Sequence, residues 1–224
     1  MVELGKIEKP EVKSYKSKRK LYVVPTLPFE ELALQFNIDN AKIERFWGEV
    51  NEKIGYFAST YGDIGIVYVE GINEDESAGL GFFERYGKDS SHYKLAKTLI
   101  EKGANIKGID KEELIGRSRL LFDEYSKSFL PEIKKLHEEF FGKNIDFEGW
   151  RNYLVKKIQE TQDEMSRLVS KLIGEMPEDA SGVLIITDER PVEYPPDVDV
   201  FMIRPPSFDE LARNIRDSSR EVLK

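Results

Sequence analysis

The sequence predicts an α/β fold: a three-layer domain with a mainly parallel sheet of about five strands and a helical hairpin insertion near residues 111 to 174. Three observations carry that expectation. Short apolar, β-branched runs alternate with helical stretches over the first half, with crossovers long enough for parallel βαβ units. A long helical stretch then breaks the alternation, and two more apolar runs follow it. The 224 residues, 40% of them hydrophobic, can bury the core of one large domain better than those of two small ones.

Residues 1 to 20 hold seven Lys or Arg side chains and little apolar periodicity, which reads as a basic N-terminal arm ahead of a single domain from 21 to 224. Leu21 to Val24 is the first strand, ended by Pro25. A short helix is expected near Phe29 to Gln35. Asp39 then caps a helix in which Ile43, Phe46, Trp47, Val50, Ile54 and Phe57 recur at helical spacing, ending by Gly62. Ile64 to Val69 is apolar on both faces, as strands covered on both sides are, and it stops at Glu70. Beyond an acidic loop, "GLGFFERYG" reads as a short helix and "SSHYKLAKTLIEKG" as a longer one closed by Gly103; "ANIKGID" is the third strand.

The insertion shows two apolar stripes. The first runs from Leu114 to Phe140, where Pro131 kinks or splits it, and the second runs from Phe147 to Leu172 after the loop "GKNID". Two stripes joined by a short loop make an antiparallel hairpin. Val183 to Thr187 and Val200 to Arg204 complete the sheet, and Ser207 with Glu210 has the spacing of a capping box for a last helix, Phe208 to Leu223.

Composition restricts the chemistry. There is no Cys, so disulfides, thiolate metal sites and a cysteine nucleophile are excluded, and the two histidines, His92 and His137, fall outside the strand ends, which disfavours zinc. No GxGxxG, Walker, GxSxG or HExxH pattern occurs. A net charge of −8 disfavours nucleic acid except through the basic arm. The Lys- and Glu-rich balance resembles that of proteins from hot-growing organisms. With no membrane-length apolar run and no secretory signal, the chain reads as cytoplasmic.

Ligands of open parallel sheets gather at the carboxyl ends of the strands. Those ends are Thr26, Glu70, Asp110, Thr187 with Asp188, Glu189 and Arg190, and Arg204. Each has a structural alternative. Asp110 stands where an N-cap for "KEEL" belongs, and Asp188 to Arg190 suit an exposed loop whose charges pair in water. Glu70 divides evenly between site and structure, because it ends a run expected to be buried. If Glu70, Asp110 and Asp188 converge, their oxygens suit a divalent cation such as Mg²⁺ or Mn²⁺. Thr26, Thr187, Arg190 and Arg204 would then contact substrate.

The order of motifs resembles the superfamily that joins TraB/GumN-type and erythromycin-esterase-like proteins: an early strand at "LYVVPTLP", a strand ending in Glu at "VYVEG", "GANIKGID", a helical insertion, a helix opening with Arg at "WRNYL", and a late strand at "VLIIT". The resemblance implies a hydrolase-like site in which Glu70, Asp110 and Arg151 are the catalytic polar residues, with Arg151 holding an anionic group. The positions of the family's histidine signatures read "PTLP" and "TDER" here, which implies replaced or lost chemistry. The competing reading is a non-catalytic scaffold that self-associates or binds a protein through the helical hairpin or through Phe82, Phe83 and Tyr86.

Overall fold

The computed structural model describes residues 19–27, 38–73, 91–142, 146–188 and 190–222. Five strands, β1 (Arg19–Thr26), β2 (Ile64–Asn73), β3 (Asn105–Asp110), β4 (Ser181–Thr187) and β5 (Val198–Met202), form one sheet in the order β3-β2-β4-β1-β5. Every pairing in it is parallel. The helices are α1 (Asn40–Tyr61), α2 (Ser91–Glu101), α3 (Glu112–Lys127), α4 (Pro131–Phe141), α5 (Phe147–Gly174) and α6 (Pro206–Val222). None of the described helices is long and apolar enough to cross a membrane.

Alternation along the strands makes two cores. Tyr22, Val24, Val67 and Ile185 face α1, α2 and α6 through Phe46, Leu95 and Phe208. Leu21, Val23, Tyr68 and Leu184 face the carboxyl half of α5 through Leu168, Val169, Leu172 and Ile173. The link from β4 to β5 lies over this second face, with Val192 and Tyr194 against it. Chain moves toward the β3 edge therefore cross one face and moves back cross the other, the division that a single crossover hand demands. Three layers result.

Two polar contacts fasten α5 where helix carbonyls lack intrahelical partners. The buried Tyr68 hydroxyl donates to the Leu172 carbonyl at 3.1 Å, and burial pushes its pKa up to about 12. Arg19 donates to the Gly174 and Met176 carbonyls and pairs with Asp197. These bonds explain why β1 begins at Arg19, two residues inside the stretch expected to be arm.

Pro25 lies within β1, where the sequence suggested an end. The Val23 carbonyl accepts from Ile203 N–H on the β5 side, so Pro25, two residues on, turns its nitrogen to the same side, beyond the last β5 residue, Met202. No ladder bond is lost. Asp39 caps α1 as expected, accepting from Ala41 N–H at 2.9 Å. Pro131 splits the first helical stripe by occupying the first turn of α4.

Ser207 does not form the expected capping box. Pro206 opens α6, and Ser207 donates its hydroxyl to Glu49 of α1 at 2.7 Å. That bond holds the Glu49 carboxyl below its ordinary pKa. Glu210 turns instead to Lys42 and Arg45. β5 ends before Arg204, which precedes Pro205 and turns toward Asp209. The helices expected near Phe29 to Gln35 and at "GLGFFERYG", residues 1 to 18, Glu189 and the two histidine side chains lie outside the described residues.

The carboxyl end of β2 is shaped by a bulge. Its register against β3 shifts between Val69 and Asn73, and Gly71 takes a φ of +85°, a conformation open to glycine. The bulged backbone presses onto Gly108 of β3, where a methyl group would overlap the carbonyl oxygens of Ile72 and Asn73. Gly108→Ala is expected to cost about 3 kcal/mol through overpacking, measured by urea unfolding. A loss within error of zero would show that β2 does not need this close approach.

Candidate functional site

Five parallel strands bring five carboxyl ends to one rim. Register places Thr26 beside Thr187, Val69 beside Ile185, and Asn73 beside Asp110. β2 continues past Glu70 to Asn73, so Glu70 sits within the strand, just beyond the buried Val69. After β4 the chain turns, with Arg190 N–H donating to the Thr187 carbonyl at 3.0 Å. That turn sends the Arg190 side chain across the ends of β2 and β3.

There, Nη1 of Arg190 lies 3.0 Å from Oε1 of Glu70 and 2.7 Å from Oδ1 of Asp110. The second oxygen of each carboxylate is also committed. Thr187 N–H donates to Oε2 of Glu70 at 2.5 Å, and Gly71 N–H donates to Oδ2 of Asp110 at 2.5 Å. Each carboxylate thus accepts one charged and one backbone donor. A Gln or Asn in either place has a single acceptor oxygen and would turn its NH₂ against a donor, so neither amide is a neutral replacement.

Burial sets the energetics. The Asp110 side chain is 2% exposed, that of Arg190 7% and that of Glu70 27%. Burial pushes the Asp110 pKa up, against the opposing pull of Arg190 and of the Gly71 N–H bond. A buried carboxylate stays ionised only with a cation and hydrogen bonds around it. Asp110 does not act as the N-cap that its position suggested: Lys111 is the N-cap residue of α3, and the Asp110 carboxylate is turned to Gly71 and Arg190.

Arg190 is only partly satisfied. Among the described residues no acceptor reaches its buried Nε or Nη2. Buried donors without partners are costly and uncommon. These two N–H groups point the same way from one edge of the guanidinium, the fork that matches a planar oxyanion.

The other half of the rim closes on itself. Arg204 donates to both oxygens of Asp188, at 3.0 and 3.2 Å, and to Asp209 at 3.0 Å, and lies over the Phe208 ring. Asp188 N–H donates to the Thr26 carbonyl at 2.9 Å. Thr26 and Thr187 enter the network through backbone groups.

The expected residues therefore divide into three sets. Glu70, Asp110 and Arg190 meet, with Thr187 beside them. Asp188 and Arg204 form a neighbouring pair beside Thr26. Arg151 belongs to neither. It donates to the Ser128 carbonyl at 2.5 Å and to the Ser128 hydroxyl at 3.2 Å, and its guanidinium stacks over Phe129 and Phe147. Leu168, where α5 meets the sheet, lies about 25 Å further along the helix. Arg151 fastens the top of the helical hairpin.

The three carboxylates expected to share a cation are likewise held apart by their arginines: Glu70 and Asp110 turn to Arg190, and Asp188 turns to Arg204. Among the described residues no three His, Cys, Asp or Glu side chains cluster as a metal's donor set. A cavity of about 30 Å³, room for one water, lies at the amino end of the sheet by Asp63 and Lys102, away from this rim.

The sequence offered Arg190 either as a substrate contact or as part of an exposed ion-paired loop, and gave no sign that it meets Glu70 and Asp110. The available signal was charge balance: two carboxylates at the ends of buried strands require a buried cation, and Arg190 is the first Lys or Arg after β4. No protein-family model, curated protein or solved structure matches the chain.

Replacing Arg190 with Met leaves two carboxylates without their cation and is expected to cost about 3–5 kcal/mol at neutral pH. In that variant burial, no longer opposed by the guanidinium, holds the folded-state pKa of Asp110 above its unfolded value. Stability is then regained as pH falls through the raised value toward the unfolded value of about 4. Urea unfolding of both proteins at neutral and mildly acidic pH reads this directly. A deficit that persists unchanged in acid would mean that Arg190 acts by packing alone.

Proposed function

We propose that the protein binds a small molecule at the carboxyl rim of β3, β2 and β4, in a hydrolase-like site where Arg190 orients the ligand and Glu70 serves as base. The observation that carries this reading is the buried guanidinium that two carboxylates fix in place while two of its N–H donors find no partner among the described residues. Glu70 suits the basic role because it is the more exposed of the two carboxylates, and the Thr187 bond orients it. Asp110 positions Arg190. The order of motifs, which resembles that of TraB/GumN-type and erythromycin-esterase-like proteins, supports a hydrolytic reaction, with Arg190 falling in the "TDER" stretch where those proteins carry a histidine. A divalent cation would have to enter by displacing Arg190 from Glu70 and Asp110.

A self-associating scaffold is the second reading. Leu120, Phe122, Phe129, Leu130, Leu136 and Phe140 are exposed on and around α3 and α4, Phe140 at 75%. α3 and α5 pair antiparallel, as the Arg117–Glu164 and Arg151–Ser128 contacts show. This apolar surface thus lies on a hairpin of its own, and a second copy of the chain would cover it.

A thermal-shift screen of small metabolites, together with Mg²⁺, Mn²⁺ and Ca²⁺, separates the readings. The site reading expects at least one organic compound that raises the melting temperature of the wild type and leaves Glu70→Gln unmoved. A shift with a cation alone would favour the metal version. No shift with any compound, combined with concentration-dependent sedimentation, would replace the site by the scaffold.

A further inference from the structure

We propose that the rim takes a ligand bearing a single carboxylate, held side-on by Nε–H and Nη2–H of Arg190 while Glu70 and Asp110 grip Nη1 from the opposite side. The proposal rests on the reading of this rim as a small-molecule site and names the chemical class that fits it.

Geometry comes first. Arg190 uses a single nitrogen, Nη1, for both protein carboxylates. Its remaining buried donors are Nε and Nη2, and neither has a partner among the described residues. Nε–H and Nη2–H are parallel and coplanar, spaced for the two oxygens of one carboxylate. A lone carbonyl oxygen would satisfy one donor well and leave the other unpaired. The guanidinium cannot rotate to share its donors differently, because both of its Nη1 partners are themselves tied to backbone N–H groups.

Charge selects further. Among the described residues, the groups facing the guanidinium are Glu70 from β2 and Asp110 from β3, with the uncharged backbone of Thr187 from β4. Asp188 pairs on the far side of β4 with Arg204, which also holds Asp209. Two carboxylates against one guanidinium leave an excess negative charge before any ligand arrives. A monoanion enters if one proton is taken up with it, and Asp110 is the group to take it, since burial already favours its protonated form. A phosphate dianion brings a second charge with nothing to balance it. The preferred ligand is thus a monocarboxylate, and its binding tightens as pH falls.

The test uses the ¹³C,¹⁵N-labelled full chain and follows the Arg190 Nε–H resonance, assigned by through-bond correlation along its own side chain. The probes are acetate, acetamide and inorganic phosphate. Acetate is expected to move the signal downfield to saturation, with acetamide and phosphate weaker by about tenfold or more. Arg190→Lys keeps the charge and loses the fork, so its acetate affinity should fall by about tenfold or more, read on backbone signals of Gly71 and Thr187. If that variant does not fold, the wild-type titration decides alone.

An Arg190 signal that ignores acetate overturns the proposal, as does one that responds equally to phosphate. Should phosphate or acetamide move it and acetate not, the carboxylate assignment fails while the rim remains a ligand site. If no probe moves it and no screened compound protects the wild type, both fail together.

Discussion

One guanidinium, with a charge it cannot lose, holds the carboxyl rim of this sheet together. Arg190 sits where three parallel strands end, and the neighbouring geometry answers to it. Glu70 and Asp110 come from adjacent strands and would repel each other without a cation between them. Their second oxygens need donors, which Thr187 and Gly71 supply from the backbone. Gly71 can supply one because β2 bulges there, and the bulge fits because β3 carries Gly108 beneath it. A chain of small backbone requirements thus ends in one buried ion cluster. Buried clusters of this kind add little net stability when complete and cost several kcal/mol when broken. Two of the Arg190 N–H donors have no acceptor among the described residues.

The helical insertion is a second unit with its own logic. The carboxyl half of α5 belongs to the sheet, through Leu168 to Ile173 and the Tyr68 hydroxyl. Its amino half pairs with α3, and Arg151 closes the far end on Ser128, Phe129 and Phe147. An arginine that opens a helix after a long insertion looks, in sequence, available to a ligand. The length of α5 sets it too far away. The arginine at the rim is instead one three residues past a strand, where the turn after β4 folds it back.

What was legible in the sequence followed from periodicity and local chemistry. The strand cores, the Asp39 cap and the split at Pro131 each depend on neighbouring residues, and each stands as the pattern indicated. Strand ends were less legible because sheet neighbours decide them. Pro25 stays in β1 only because β5 stops at Met202, and β1 gains Arg19 only because α5 ends beside it. The Ser207 cap failed for the same reason: a carboxylate from α1, remote in sequence, reached it first. The candidate site was legible as a rim of charged strand ends, yet which charges meet depends on strand order. β4 lies between β2 and β1, so the residues after it reach toward β2 and β3, and Asp188 is left to Arg204. Spacing along the chain carries no trace of that order.

Arg190 and Asp110 form a buried, mutually dependent pair that sets the rim. A double-mutant cycle with Arg190→Met, Asp110→Leu and the combined variant, each followed by urea unfolding at neutral pH, measures that dependence. A coupling of about 3 kcal/mol or more is expected, the combined variant being more stable than Arg190→Met alone. A coupling below about 1 kcal/mol, the range of exposed ion pairs, would show that the two side chains do not depend on each other.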